Sequence, residues 1–216
     1  SGGPDSQVLL DLTGQLMATG TTYNAVAVGI NHGLRPEAAE ELNLAKSLAN
    51  NYSIAFHQFD AEVSTQGNTL QNAREARYEI IREFAEQFES AFILTAHSAT
   101  DQCETMVQRL TRGTGLRGAS AIHASRGDLI RPLLAHTREE LINYAKSRDI
   151  SFANDPSNEN RARSRTRIRQ DIVPVLDQIN PEAQRHWAKF ADHSMRATQF
   201  LDALAHPILE AATGHL

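Results

Sequence analysis

Cysteine is nearly absent from this chain: Cys103 is the only one among 216 residues. That excludes an internal disulfide. It also excludes a cysteine-rich zinc site and a two-cysteine redox or sulfur-transfer pair within the chain. No apolar run approaches the length of a membrane span, and no signal peptide is visible, so a cytosolic protein with no membrane partner is the simple reading. Positive charge is not in excess either. The formal net charge is -5, so an RNA partner would have to be held by a local basic patch rather than by the bulk field. What is present is a chain that is 41% hydrophobic, enough for one sizeable α/β domain with a core and a small appendage.

The periodicity alternates between helix and strand. Asp5 to Ala18 reads as a helix with Val8, Leu9, Leu12 and Leu16 as its apolar stripe. Tyr23 to Ile30 suits a buried parallel strand. Pro36 to Asn51 has proline at its start and acids in the first turn, a helix pattern. Ser53 to Phe59 reads as a second strand, Thr69 to Phe88 as a long helix, and Ala91 to Ala96 as a third strand running into His97. Ala99 to Arg112 is then helical and stops at Gly113 and Gly115. The pattern predicts a doubly wound, mostly parallel sheet flanked by helices over residues 1–150. Thr137 to Arg148 is a helix with Thr137 and Glu140 as a capping box. Residues 151–216 read as a mainly helical appendage, with a polar turn at Asn154 to Asn160 and helix from Arg161 broken at Pro174 and Pro181.

Ser1-Gly2-Gly3-Pro4-Asp5-Ser6, followed at once by an apolar helix, is the strongest chemical signal. Two glycines let the backbone wrap an anion, and the helix directs its N–H groups and positive dipole end at the same place. Ser1 and Ser6 add hydroxyls, and Asp5 can hold magnesium or orient the loop. The loop lacks the lysine of a Walker A motif, so it looks built for a pyrophosphate that departs. An ordinary helix cap is the bland alternative. Such turns normally leave a buried strand, so the natural chain is expected to begin upstream.

His97, Asp101, Glu104 and Thr105 form a second group where ligands bind in open α/β sheets, at the carboxyl end of a strand. Asp101 and Glu104 share one helical face and can hold magnesium or a substrate ammonium; a solvated acidic helix start is the alternative. Arg74, Arg77 and Tyr78 form a third group, in which the arginines neutralise phosphates or simply solvate a surface. Asp155-Pro156-Ser157-Asn158 precedes five arginines in nine residues, Arg161, Arg163, Arg165, Arg167 and Arg169, which read either as an RNA-phosphate patch or as a charged helix face. Asn31-His32-Gly33 is weak by itself.

Together these segments resemble the N-type ATP pyrophosphatases (the PP-loop superfamily), and more closely the tRNA(Ile)-lysidine synthetase family. The resemblance runs from Ser1 to about Leu176. It rests on the glycine loop, His32-Gly33-Leu34-Arg35, Arg74-Glu75-Ala76-Arg77-Tyr78, His97 with Asp101-Gln102-Cys103-Glu104-Thr105, and Arg112-Gly113-Thr114-Gly115-Leu116. It continues through Ile130-Arg131-Pro132-Leu133-Leu134, Asp155 with Ser157-Asn158, Ile168-Arg169 and Pro174-Val175-Leu176. Three features depart from the family: Thr100 where a second acid is common, Thr166 where asparagine usually follows arginine, and an end before the usual C-terminal tRNA-binding domain.

The resemblance implies a ligase using ATP and magnesium. Isoleucine tRNA with cytidine at the wobble position would be adenylated on its ring oxygen, and free lysine would then displace AMP to give lysidine. Asp5, Arg77, His97, Asp101 and Glu104 would be catalytic. Ser1, Gly2, Gly3, Pro4, Asp5, Ser6 and His32 would bind the nucleotide, with Asp5 on the metal. Asp101 and Glu104 would hold the lysine ammonium, and Arg74, Arg163, Arg165, Arg167 and Arg169 would contact tRNA. A homodimer is compatible with it. The competing readings are another pyrophosphatase-type enzyme, such as a tRNA thiolation enzyme or an amidotransferase-type synthetase, and a non-catalytic nucleotide-responsive RNA-binding module.

Overall fold

The computed structural model describes residues 1–31, 33, 38–61, 66, 69–89, 91–153 and 164–213. These form two compact units. The first takes the described residues of Ser1–Ala96, Ser125–Pro132 and Arg138–Asp155; the second takes those of His97–Ala124, Leu133–Thr137 and Pro156–Leu216. The chain thus passes between units several times rather than once near residue 150.

The first unit is α/β. Helix α1 (Pro4–Ala18) leads to β1 (Val26–Asn31), α2 (Ala38–Asn51), β2 (Ala55–Asp60), α3 (Thr69–Ala85) and β3 (Ile93–Leu94). Strands β1 and β2 pair in parallel from Val26 opposite Ala55 to Asn31 opposite Asp60, as the crossover through α2 requires. Among the described residues both are largely half-buried or exposed, with only Gly29 of β1 buried, so β1 is less enclosed than its apolar content predicts. A second ladder was not read from the sequence. Beyond α4 (Ala99–Leu110) and α5 (Leu116–Ala119) of the second unit, β4 (Ser125–Arg126) turns through Gly127-Asp128 into β5 (Leu129–Ile130). Strand β5 pairs in parallel with β3, so one antiparallel pair joins the otherwise parallel strands. Helix α6 (Arg138–Ser147) follows, and its Leu141 and Ala145 are buried with Val8, Leu42, Ala45 and Ala49.

A buried carboxylate ties three elements of this unit together. Asp11 of α1, 2% exposed, accepts from Tyr52 Oη at 2.5 Å, Tyr144 Oη at 2.8 Å and Gln15 Nε2 at 2.5 Å, and Arg148 lies 3.8 Å away. The Asp11 hydrogen bond and then burial push the Tyr52 hydroxyl above its ordinary range, and burial followed by the Asp11 hydrogen bond does the same for Tyr144, since a phenolate there would face the carboxylate. Gly14 makes room for this cluster: a Cβ on it would lie 2.2 Å from the Tyr52 ring. Gly14→Ala should therefore lower the melting temperature. Alanine gains about 1 kcal/mol of helix propensity, but overpacking costs roughly 1–3 kcal/mol and moves Tyr52 off Asp11. Thermal unfolding followed by circular dichroism checks this, and a raised midpoint refutes it.

The second unit is helical. Eight of the twelve residues of α4 are buried, and it packs against α5 and against the long α9 (Ala183–Thr213). Cys103 and Val107 meet Ile168 and Val173, Met106 meets Ala121 and Ala191, and Trp187 packs against both groups. The chain from 164 to 179 is helical throughout: α7 (Ser164–Arg167), a π-helical stretch (Ile168–Ile172) and α8 (Val173–Ile179). Pro174 does not break it as expected. Proline lacks an N–H and crowds the carbonyl four residues back, and the wider π turn accommodates both. Pro181 does stop the helix, with Asn180 before it extended (φ -152, ψ 114).

Candidate active site

In the first unit the glycine loop leads directly into α1. Gly3 is the extended N-cap, no side chain caps the first turn, and Pro4 takes a position where its missing N–H costs nothing. The two glycines do different jobs. A Cβ on Gly2 would lie 2.3 Å from the Glu41 carbonyl oxygen, and the Gly2 carbonyl accepts from Ala153 N at 2.8 Å. Gly2 is thus pressed between neighbouring segments, whereas a Cβ on Gly3 would meet nothing within 4 Å among the described residues. The open side of the loop is therefore at Gly3 and the uncapped first turn, the arrangement that accepts an anion. The Ser1 and Ser6 hydroxyls bond each other at 2.8 Å.

Asp5 is not poised toward solvent. Its Oδ2 accepts from Arg138 Nη1 at 2.5 Å, with the two side chains 15% and 26% exposed. Arg138 was missed in the sequence because it lies 133 residues away on α6. Arg77 stands on α3 with Arg74 and Tyr78. Its side chain keeps accessible surface, yet desolvation, with Arg74 adding to it, lowers the guanidinium below its ordinary range. Arg74 lies 5.4 Å from the Tyr78 ring centroid, with Arg82 at 5.8 Å on the same ring. The groove there, about 700 Å³, is lined by residues of α3 and by Glu86 just past its end, and mixes Glu75, Glu79, Glu83 and Glu86 with two arginines, so it presents no concentrated positive field. His32 lies outside the described residues.

In the second unit, half-buried His97 precedes α4, and Ser98 caps it. The Ser98 backbone N–H and hydroxyl both donate to Asp101 Oδ2 at 2.9 Å. The modest reading of Asp101, an acid at a helix start, therefore describes one of its oxygens; the other lies 4.0 Å from Arg169. Glu104 is different. Its side chain has no exposed surface, its Oε1 accepts from Arg169 Nε at 2.5 Å, and its buried Oε2 has no hydrogen-bond partner among the described residues. Burial raises the Glu104 pKa and Arg169 opposes the rise. Arg169 thus points at the acidic pair instead of standing in an outer phosphate patch. Arg165, exposed, donates to Thr105 Oγ1 at 3.2 Å, while Arg167 is exposed. Arg161, Arg163 and the segment Asp155 to Asn158 lie outside the described residues. Thr100, standing where a second acid is common, is buried and donates to Gln184 at 2.6 Å. Among the described residues no three His, Cys, Asp or Glu side chains gather into a metal site, and no helix is long and apolar enough to cross a membrane.

Residues 1–176 match the model of the PP-loop domain. The chain is 35% identical over 216 residues to the tRNA(Ile)-lysidine synthase of Coxiella burnetii, covering 97% of this chain and 47% of that protein. It is 34% identical over 216 residues to the synthase of the same name from Pseudomonas putida, covering 98% and 50%. It thus spans about half the length of these curated relatives. In structure it is similar to a U34-tRNA thiolase from Methanococcus maripaludis, solved with its 4Fe-4S cluster. The TM-score is 0.75 at 17% identity over 89% of this chain and 69% of that one, a likeness of fold. The glycine loop and the uncapped helix start it opens onto lie inside the matched span of residues 1–176, most of the chain, and this chain belongs to the PP-loop domain family.

Proposed function

We propose that the protein ligates lysine to the wobble cytidine of isoleucine tRNA in the cytosol, at the expense of ATP. The cytosine ring oxygen attacks the α-phosphorus and pyrophosphate leaves; the lysine ε-amine then adds to the activated ring carbon, loses a proton, and AMP leaves carrying the ring oxygen. The N–H groups of the loop and the first turn of α1 receive the departing pyrophosphate charge. Arg77 and His97 act on the nucleotide phosphates or the activated base. Arg74, Arg163, Arg165 and Arg167 supply phosphate contacts to tRNA.

Magnesium fits one carboxylate of the loop, because this ion usually takes one or two carboxylates and fills its shell with phosphates and water. Asp5 would hold it, sharing its carboxylate with Arg138, and the ion would neutralise phosphate charge.

The observation that carries the choice of amino acid is Glu104. A fully buried carboxylate with one oxygen bonded to Arg169 and the other without a partner among the described residues suits a second cation, and an ammonium there would favour the ionised form that burial penalises. Thiolation is disfavoured on a different ground. The only thiol, Cys103, is buried in the α4 core with its pKa pushed up to about 12, so it is not a sulfur nucleophile at neutral pH. Mass analysis of isoleucine tRNA incubated with ATP and lysine tests the reaction; unmodified tRNA in the presence of measurable ATP–pyrophosphate exchange would overturn it. In the same assay Glu104→Gln should raise the KM for lysine roughly tenfold or more and the KM for ATP little. An equal rise in both would assign Glu104 to the nucleotide instead.

A further inference from the structure

We propose that Arg138 is a positioning residue for the glycine loop: it offsets the Asp5 charge and fixes that carboxylate, so that the loop accepts a polyanion. The inference rests on the reading of the loop as a nucleotide site and adds a residue to it. A carboxylate at the mouth of a phosphate-binding turn is an electrostatic problem, since it repels the phosphates the helix start attracts. Arg138 meets Asp5 Oδ2 at 2.5 Å, and both side chains are largely shielded from water, where such a pair is weakly screened.

The scaffold supports the same role. Arg138 is the first residue of α6, and that helix is fastened to α1 a second time. Tyr144, six residues further on, donates to Asp11 at 2.8 Å, and Arg148 just past the helix reaches the same carboxylate. Helix α6 is thus tied to α1 near the loop and again more than one turn along it. Its guanidinium is delivered by a rigid element, which is what precise placement of a site requires. The pairing also sets a competition. Arg138 and a metal ion are two cations for one carboxylate, so Arg138 supports metal-free nucleotide binding while limiting how tightly magnesium is taken up.

That competition gives a signature that a merely structural residue lacks. ATP affinity is measured by calorimetry with EDTA and across a magnesium titration, for the wild type, Arg138→Gln and Arg138→Lys. Arg138→Gln should weaken metal-free ATP binding roughly tenfold or more while lowering the magnesium concentration that half-restores binding. Arg138→Lys should return most of the metal-free affinity. The double variant Asp5→Asn/Arg138→Gln, with no unpaired charge left, should bind metal-free ATP better than Arg138→Gln alone, which keeps the test open if the single variant folds poorly. Equal weakening with and without magnesium, or unchanged binding in every variant, overturns the role of Arg138 alone. Failure of the wild-type protein to bind ATP overturns the nucleotide reading and the inference with it.

Discussion

Arg169→Ala should be among the most destabilising single changes in the second unit, by about 3–5 kcal/mol at neutral pH. Glu104 has no exposed side-chain surface, and Arg169 is its hydrogen-bonded counter-ion. Removing the arginine strands a carboxylate in the protein interior, and such a group escapes by taking a proton. This gives the prediction a pH dependence. Glu104 already titrates above the ordinary 4.5 in the folded state, and loss of Arg169 raises it further. Between the unfolded and folded values the native state holds a proton that the unfolded state has released, so stability falls as pH rises from about 4.5. The variant should therefore differ little from wild type near pH 4 and lose most of its margin by pH 7. Arg167→Ala, at an exposed position, should stay within about 0.5 kcal/mol at both. Urea unfolding of the three proteins at two pH values measures this. Equal, small losses for Arg167 and Arg169 at pH 7 would show that the buried pair contributes nothing.

The arginine run shows what a linear pattern hides. Five arginines at alternate positions look like one basic stripe. On a helix, however, alternate residues are about 200° apart, so Arg165 and Arg169 share a side and Arg167 faces away. The structure has that division in its contacts: Arg165, though exposed, reaches Thr105 and half-buried Arg169 reaches Glu104, both on α4, while Arg167 is exposed on the other side. The spacing was legible, but the partner was not, because Glu104 lies 65 residues earlier. The same holds at the loop, where Asp5 was legible as chemistry and Arg138 was invisible as its counter-ion.

Local signals fared better where the deciding contact was also local. The start of α1 follows from glycines and Pro4, and the cap of α4 was available in Ser98-Ala99-Thr100-Asp101, a short polar residue with an acid three positions on. The β4–β5 hairpin escaped because its strands are two residues each and carry no alternation to detect. Pro174 misled because proline was read as a stop, whereas the chain widens to a π turn ahead of it. Burial of β1 was over-read for a similar reason: valine and isoleucine content reports propensity, and coverage is decided by distant segments.

Asp5→Asn should reduce ATP–pyrophosphate exchange by about two to three orders of magnitude, on the scale of losing one charge-stabilising group from a reaction centre, with little change in fold. The near-isosteric amide can still accept from Arg138 through its oxygen, so the helix start and the α6 contact keep their geometry. What is lost is the negative charge that would hold magnesium against the departing pyrophosphate. The variant also leaves the Arg138 charge less compensated beside the loop. Ground-state ATP binding should therefore hold or tighten while turnover collapses, a fall in kcat with KM unchanged or lower, the sign of an interaction that acts on the transition state. Exchange kinetics and ATP calorimetry on the same preparation, with circular dichroism as the folding control, decide the matter. A folded Asp5→Asn protein that exchanges pyrophosphate at the wild-type rate would remove Asp5 from the chemistry and leave it as an anchor for α6.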